Sequence, residues 1–180
     1  MSTQGSVMEI SEKLLAEMDT WPTKPVPKVL FHGCRDGDLG LDLKSGIISG
    51  EKWFSTDPFY AGEYAWHWSR PDVGETLRLE VEVTHEHLAI ECPHRLDGAN
   101  WPPFLAECFP NVPLGYELSY HFQSTLKSHI DALAVDGLCS YISNGGKEVC
   151  IPEVEKFVVI RRQVILPKTK DEYREQNGLL

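Results

Sequence analysis

Three separated segments of this 180-residue chain carry the residue types that chemistry on a small polar ligand would use. Residues 29–34, V-L-F-H-G-C, read as a short apolar strand that delivers an imidazole, His32, and a bare stretch of backbone at Gly33. Residues 45–65, S-G-I-I-S-G-E-K-W-F-S-T-D-P-F-Y-A-G-E-Y-A, place two aromatic rings, Trp53 and Tyr64, eleven positions apart. Residues 144–151, N-G-G-K-E-V-C-I, are a turn signal followed by a strand opening on Glu148. Taken singly, each has a plain structural explanation. A histidine at a strand end can be a satisfied core residue, Trp53 and Tyr64 can be core aromatics, and a glutamate after a turn is ordinarily solvated.

Together, in this order and spacing, the three segments resemble the catalytic core of the ADP-ribosyltransferase superfamily. The branch is the His–Tyr–Glu one, which includes diphtheria-toxin-like enzymes and poly(ADP-ribose) polymerases. In that family a strand ends in His-Gly-Ser/Thr, an aromatic strand leads into a helix with a second aromatic eleven residues on, and a late strand opens with the catalytic Glu. The counterparts are His32-Gly33-Cys34, Trp53 with Tyr64, and Glu148, and the likeness spans residues 29–160.

The resemblance implies an enzyme that uses NAD⁺ as substrate, releases nicotinamide and passes one ADP-ribose to a macromolecular acceptor. The alternatives are an NAD⁺ glycohydrolase and a non-catalytic NAD⁺ or ADP-ribose binding module. Scission of the nicotinamide–ribose bond passes through an oxocarbenium-like state, as glycoside cleavage does. The resemblance gives Glu148 the task of stabilising that charge, with His32 and Tyr64 as its catalytic companions. His32 would hydrogen-bond the adenosine ribose. Trp53 and Tyr64 would sandwich the nicotinamide ring, and the Gly33 backbone would meet its carboxamide, where a side chain would be in the way. Cys34, Arg35, Phe54, Ser55, Tyr60 and Ala61 complete the implied ligand-contacting set.

Three departures stand out: Cys34 replaces a Ser or Thr, Ala61 a serine that the polymerases carry, and no arginine is obvious for the pyrophosphate, with Arg35 the nearest candidate. Glu153-Val154-Glu155 is a literal E-x-E, the signature of the arginine-modifying branch. That branch begins with Arg where this chain has His32, and Pro152 puts E-x-E in a loop, so Glu148 is the expected acid. His85, His87, Cys92 and His94 have ligand chemistry at loose zinc spacing. Their context is a charged strand start, and no metal site is expected.

Composition narrows the partners. A net charge of −10 without a basic cluster disfavours nucleic acid, whose binding rests on neutralising phosphates, so a protein acceptor is favoured. Five scattered cysteines without a C-x-x-C pair are read as free thiols in a reducing compartment. With neither a secretory signal nor an apolar run long enough to span a bilayer, a cytoplasmic protein is expected, or one delivered into a target cytoplasm. A compact transferase of this type further implies a bacterial or phage toxin or effector, with a neutralising partner protein.

The elements that must position these residues can be read from pattern. Residues 6–19 set Val7, Ile10, Leu14 and Met18 on one helical face, and the prolines of W-P-T-K-P-V-P end it. Residues 39–47 are expected to make a turn or two of helix. Asp57-Pro58 reads as N-cap and first helical position of a helix running to about Trp68. Residues 76–83 alternate as a half-buried strand, and 88–90, 134–142, 148–151 and 157–160 read as further strands. Helices are expected at 100–108 and 118–133. The fold class is α+β, with mainly antiparallel strands forming a split sheet core and helices flanking it. One domain, 1–180, is expected, with residues 1–25 as helix and proline-rich connector and 168–180 as a loose tail.

Overall fold

The strand 76–83 anchors the architecture, because its alternation leaves one side chain in two for the core. In the computed structural model, Leu77, Leu79, Val81 and Val83 are all buried. The structure describes residues 12–66, 74–95, 103–109, 111, 130, 133, 135–141 and 146–178. The expected helix at 118–133 lies outside them apart from Ile130 and Leu133, which are helical. Residues 6–11, Trp68 and the Asn144-Gly145 turn also lie outside.

Among the described residues the strands are β1 (Thr23–Pro25), β2 (Val29–Arg35), β3 (Leu41–Asp42), β4 (Ile47–Ile48), β5 (Lys52–Ser55), β6 (Thr76–Val83), β7 (Leu88–Arg95), β8 (Gly137–Tyr141), β9 (Lys147–Ile151) and β10 (Val158–Ile165). Helices are α1 (12–18), α2 (Pro58–Tyr64), α3 (Pro103–Cys108) and α4 (Lys170–Gln176). The main sheet runs β1-β7-β8-β9-β5-β2-β6-β10. Only β7 and β8 are parallel; the other pairings are antiparallel. The class is α+β, as the sequence pattern implies.

Two halves are joined thinly. β2 pairs with β6 along its whole length, from Val29↔Glu82 to Arg35↔Thr76. Its other side meets β5 at a single pair, Phe31↔Ser55. Each face of the sheet has its own core. Leu30, Cys34, Phe54, Val149 and Ile151 join the β6 residues in one cluster. On the other face Leu14, Met18 and Trp21 pack with Ile90, Cys92, Phe109, Ile130 and Cys150. Leu14 and Met18 are 1% and 0% exposed, so each contributes roughly 1.5–3 kcal/mol by leaving water. The alternation Val149, Cys150, Ile151 in β9 assigns its side chains to the two clusters in turn.

Two expectations are corrected. Residues 39–47 form a hairpin, β3–β4, rather than helical turns. The carboxylate of Asp42 accepts from the backbone of Lys44 and Ser45 and from the Ser45 hydroxyl, an Asx-type turn that competes with helix. Gly46 supplies a positive φ of 68°, which favours a reversal. The tail expected to be loose holds α4, whose start is a reciprocal capping box of Thr169 and Glu172.

Helix α4 grips α2. Tyr173 is 2% exposed and donates toward the carbonyls of Pro58 and Phe59, at 3.3 and 3.1 Å. Arg174 pairs with Glu63. Helix α2 begins as the sequence implies, with Asp57 accepting from Phe59 N and Tyr60 N and Pro58 leading the first turn. It stops at Tyr64 rather than near Trp68, as Ala65 N turns inward to Gly62 O, the tightening common at helix ends. On its sheet side α2 rests directly on Gly33. A Cβ there would collide with the Ala61 carbonyl oxygen and lie 2.8 Å from Ala65 N. Backbone cannot step aside as a flexible side chain can. Gly33→Ala is therefore expected to destabilise the fold by about 3 kcal/mol, the upper range for overpacking, read as a lower urea midpoint at unchanged slope. An unshifted midpoint would show that α2 is not seated on Gly33.

Candidate functional site

Beyond Phe31↔Ser55 the strands β2 and β5 part, and His32 occupies the opening. Its Nδ1 lies 2.7 Å from the carbonyl oxygen of Trp53. A carbonyl can only accept, so Nδ1 carries the proton and, in the neutral ring, Nε2 is left as an acceptor. Burial pushes the imidazole below its ordinary value of 6.5, against the pull of the Trp53 carbonyl. His32 alternates with Leu30 and Cys34, which belong to the first cluster, and its ring lies 5.5 Å from Phe54. The side chain thus faces the first core.

Glu148 leaves the opposite face. It sits across from Ser55 on β5 and from Ser140 on β8 and is half-buried. The Tyr60 hydroxyl donates to its Oε1 at 3.4 Å, and the Tyr60 and Tyr64 hydroxyls are 2.8 Å apart. The two tyrosine rings are 5.1 Å apart and tilted by 59°. One carboxylate and two phenols therefore gather where α2 passes the start of β9.

Neighbouring contacts fix this meeting point. Ser55 Oγ accepts from Asp57 N at 2.9 Å, tying the end of β5 to the cap of α2. Thr56 N donates to Lys147 O and Lys147 N to Thr56 Oγ1, at 2.9 and 2.8 Å, which extends the β5–β9 ladder past Glu148. Lys147 Nζ then meets Glu91 at 2.5 Å, and Lys24 Nζ approaches the same carboxylate at 2.8 Å. Glu91 is 3% exposed. A carboxylate that deep persists because two ammonium groups compensate its lost hydration.

The structure sorts the expected contact residues. Tyr64 is 37% exposed. Trp53 shares the Glu148 face, two residues from Ser55, but its ring is half-buried against the second cluster, and its Nε1 is buried without a partner among the described residues. Four expected side-chain contacts are corrected. Cys34 and Phe54 are each 2% exposed within the first core, because their strand parity points them there. Burial drives the Cys34 thiol up to about 12, which leaves it neutral. Ser55 and Ala61 are 1% and 4% exposed; the first ties β5 to α2 and the second is pressed on Gly33. Gly33 itself lacks a side chain because α2 needs the space. Arg35 closes β2, its backbone N donating to Asp38 Oδ2 at 2.8 Å.

Glu153 precedes and Glu155 lies within a 3₁₀ turn, Val154–Lys156, between β9 and β10. Glu153 pairs with Lys156, and Glu155 accepts from Gly50 N at 2.9 Å. His87 stacks on Phe157 at 3.8 Å with Nδ1 3.2 Å from Asp136, whereas Cys92 is buried in the other cluster. His87, just before β7, lies with the first cluster and Cys92 with the second, so these two side chains stand apart, and that of His94 lies outside the described residues. Among the described residues no group of three or more His, Cys, Asp or Glu could hold a metal ion. No described helix is long and apolar enough to cross a membrane.

Sequence reasoning missed Arg78 and Glu91. Arg78 stands opposite Gly33 on β6, donates to Pro58 O at 3.3 Å and lies 5.9 Å from the Phe31 ring, buttressing the start of α2. No motif marks either residue. Arg78 follows the same alternation as Glu80 and Glu82 in β6 and so does not stand out, whereas Glu91 is marked by its buried neighbours Ile90 and Cys92.

No family model matches the chain, and no curated protein matches it. Among solved structures it is similar to a chain of the M. tuberculosis MbcT–MbcA toxin–antitoxin complex, with a TM-score of 0.57 at 12% identity. The likeness covers 94% of this chain and 99% of that one. At that identity, what is shared is the fold.

The depressed imidazole has a consequence for stability. Between its lowered folded value and the unfolded value near 6.5, the unfolded chain binds the extra proton, so the His32 contribution falls as pH drops through that window. His32→Asn cannot titrate there, and its amide can still donate toward Trp53 O. The stability deficit of this variant should therefore shrink between pH 7.5 and pH 5.5 in paired urea titrations. A deficit that stays constant would show that His32 is not held neutral.

Proposed function

We propose that this protein cleaves NAD⁺ at the nicotinamide–ribose bond and transfers a single ADP-ribose to a macromolecular acceptor, as a mono-ADP-ribosyltransferase. The observation that carries the reading is the gathering of Glu148 with the hydroxyls of Tyr60 and Tyr64, at 3.4 and 2.8 Å in series, beside the parting of β5 from β2.

The chemistry follows from those groups. As nicotinamide departs, positive charge grows on the ribose C1′ and ring oxygen. A carboxylate that accepts from a ribose hydroxyl favours that state over the neutral substrate. Glu148 is held for this by the β5 and β8 ladders on either side of it. The Tyr64 ring supplies a flat, accessible face for the nicotinamide. His32, whose Nδ1 donates to Trp53 O from the other face of the sheet, is a positioning residue that holds β5 where it parts from β2. Protein is the favoured acceptor class, because a net charge of −10 repels nucleic acid. The likeness to a chain of a toxin–antitoxin complex supports action as a toxin in a cytoplasm, restrained by a partner protein.

The test uses NAD⁺ labelled separately on nicotinamide and adenine, incubated with the protein and a cell lysate. Released nicotinamide together with adenine label on protein supports the transferase. Free ADP-ribose alone assigns water as the acceptor, making the protein a glycohydrolase. Binding that raises the melting temperature without nicotinamide release would leave a binding module. Glu148→Gln should lower nicotinamide release by at least ~100-fold, the scale of losing a principal electrostatic contact, while Glu153→Gln and Glu155→Gln remain near the parent rate. An inactive Glu155→Gln beside an active Glu148→Gln would overturn the assignment.

A further inference from the structure

We propose that Tyr60 is a positioning residue for Glu148, and that Tyr64, Tyr60 and Glu148 form a one-way chain of hydrogen bonds that holds the carboxylate toward the ribose. The inference rests on the catalytic reading of Glu148 and assigns Tyr60 to the protein's own carboxylate rather than to the ligand.

Donor counting sets the direction. An ionised carboxylate only accepts, and a phenol has one proton. If Tyr60 gives its proton to Glu148 Oε1 at 3.4 Å, its oxygen can only accept from Tyr64, 2.8 Å away. Each bond polarises the next, so the terminal contact to the charged group is strengthened by the one behind it. The backbone makes this geometry repeatable. Tyr60 and Tyr64 are four apart on α2, where side chains stack on one face. The register of that face is set by the Asp57 cap, by Gly33 beneath the helix and by Tyr173 behind it. Tyr60 is half-buried whereas Tyr64 is exposed, which suits an inner residue serving the carboxylate and an outer one facing the ligand.

Tyr60→Phe removes the hydroxyl and keeps the ring. It should lower kcat for nicotinamide release on the order of 10-fold, the scale of one hydrogen bond to a charged group, with KM for NAD⁺ little changed. The acid limb of the kcat–pH profile should move to higher pH, since the ionised carboxylate has lost a donor. Titration of the Glu148 carboxyl carbon by NMR, without substrate, should move the same way. Tyr64→Phe should shift that titration less, and the double variant no further than Tyr60→Phe alone, because the chain is serial. An unchanged Glu148 titration in folded Tyr60→Phe, or a change in KM alone, overturns the proposal. A parent protein that releases no nicotinamide overturns the catalytic reading instead, and the carbon titration still decides whether the chain exists.

Discussion

A sheet of eight strands whose halves meet at one pair has a built-in discontinuity, and the candidate site is arranged around it. At Phe31↔Ser55 the ladder is intact. One residue further, the hydrogen bond that a continuous ladder would draw from backbone comes from the His32 imidazole to Trp53 O. A side chain that replaces a backbone donor keeps the carbonyl satisfied while letting the strands separate. The polar edge of a strand is costly to expose without a partner, so a split of this kind persists only where some group supplies the missing bond. Helix α2 can then lie against the parted strands, because Gly33 leaves it room.

That seating explains why one short helix can hold two phenols against a carboxylate on a distant strand. A helix of seven residues is marginal by itself. Here it is capped by Asp57, pressed on Gly33, buttressed by Arg78 and gripped from behind by Tyr173 and Arg174. On the other side Glu148 is fixed by neighbours on both β5 and β8, while Lys147 beside it in β9 turns to the other face to pair with Glu91. The catalytic geometry proposed for this chain thus depends on buried contacts made by residues that would never touch a substrate.

Several features were legible from sequence because they are local. The alternation at 76–83 and the Asp57-Pro58 start of α2 each depend on residues within a few positions of one another. So does the packing face of α1 at Leu14 and Met18. Period and capping are properties of the chain itself. The hairpin at 41–48 is not legible in the sequence, because the Asp42 turn chemistry outweighs helix propensity over too few residues to show a period. Helix α4 is hidden in the sequence although its Thr169–Glu172 box is written there, since so short and polar a segment becomes a stable helix only when Tyr173 finds a burial site under α2.

The set His32, Gly33, Trp53, Tyr64 and Glu148 could be nominated from order and spacing, and Glu148 preferred over Glu153 and Glu155 from Pro152 and the preceding turn. Which side chains share a face could not be read that way. Parity in a strand is relative, and it becomes absolute only when the strand's register against its neighbours is known. The pairing of β5 with β9 sends Glu148 and Trp53 to one side and Phe54 to the other. The pairing of β2 with β6 sends His32 and Cys34 toward the first core. The meeting of Tyr60 with Glu148, 88 positions apart, likewise depends on where α2 is seated. The amino-acid sequence determined the inventory of chemical groups and the local elements that carry them; tertiary register and helix seating decided which of those groups meet.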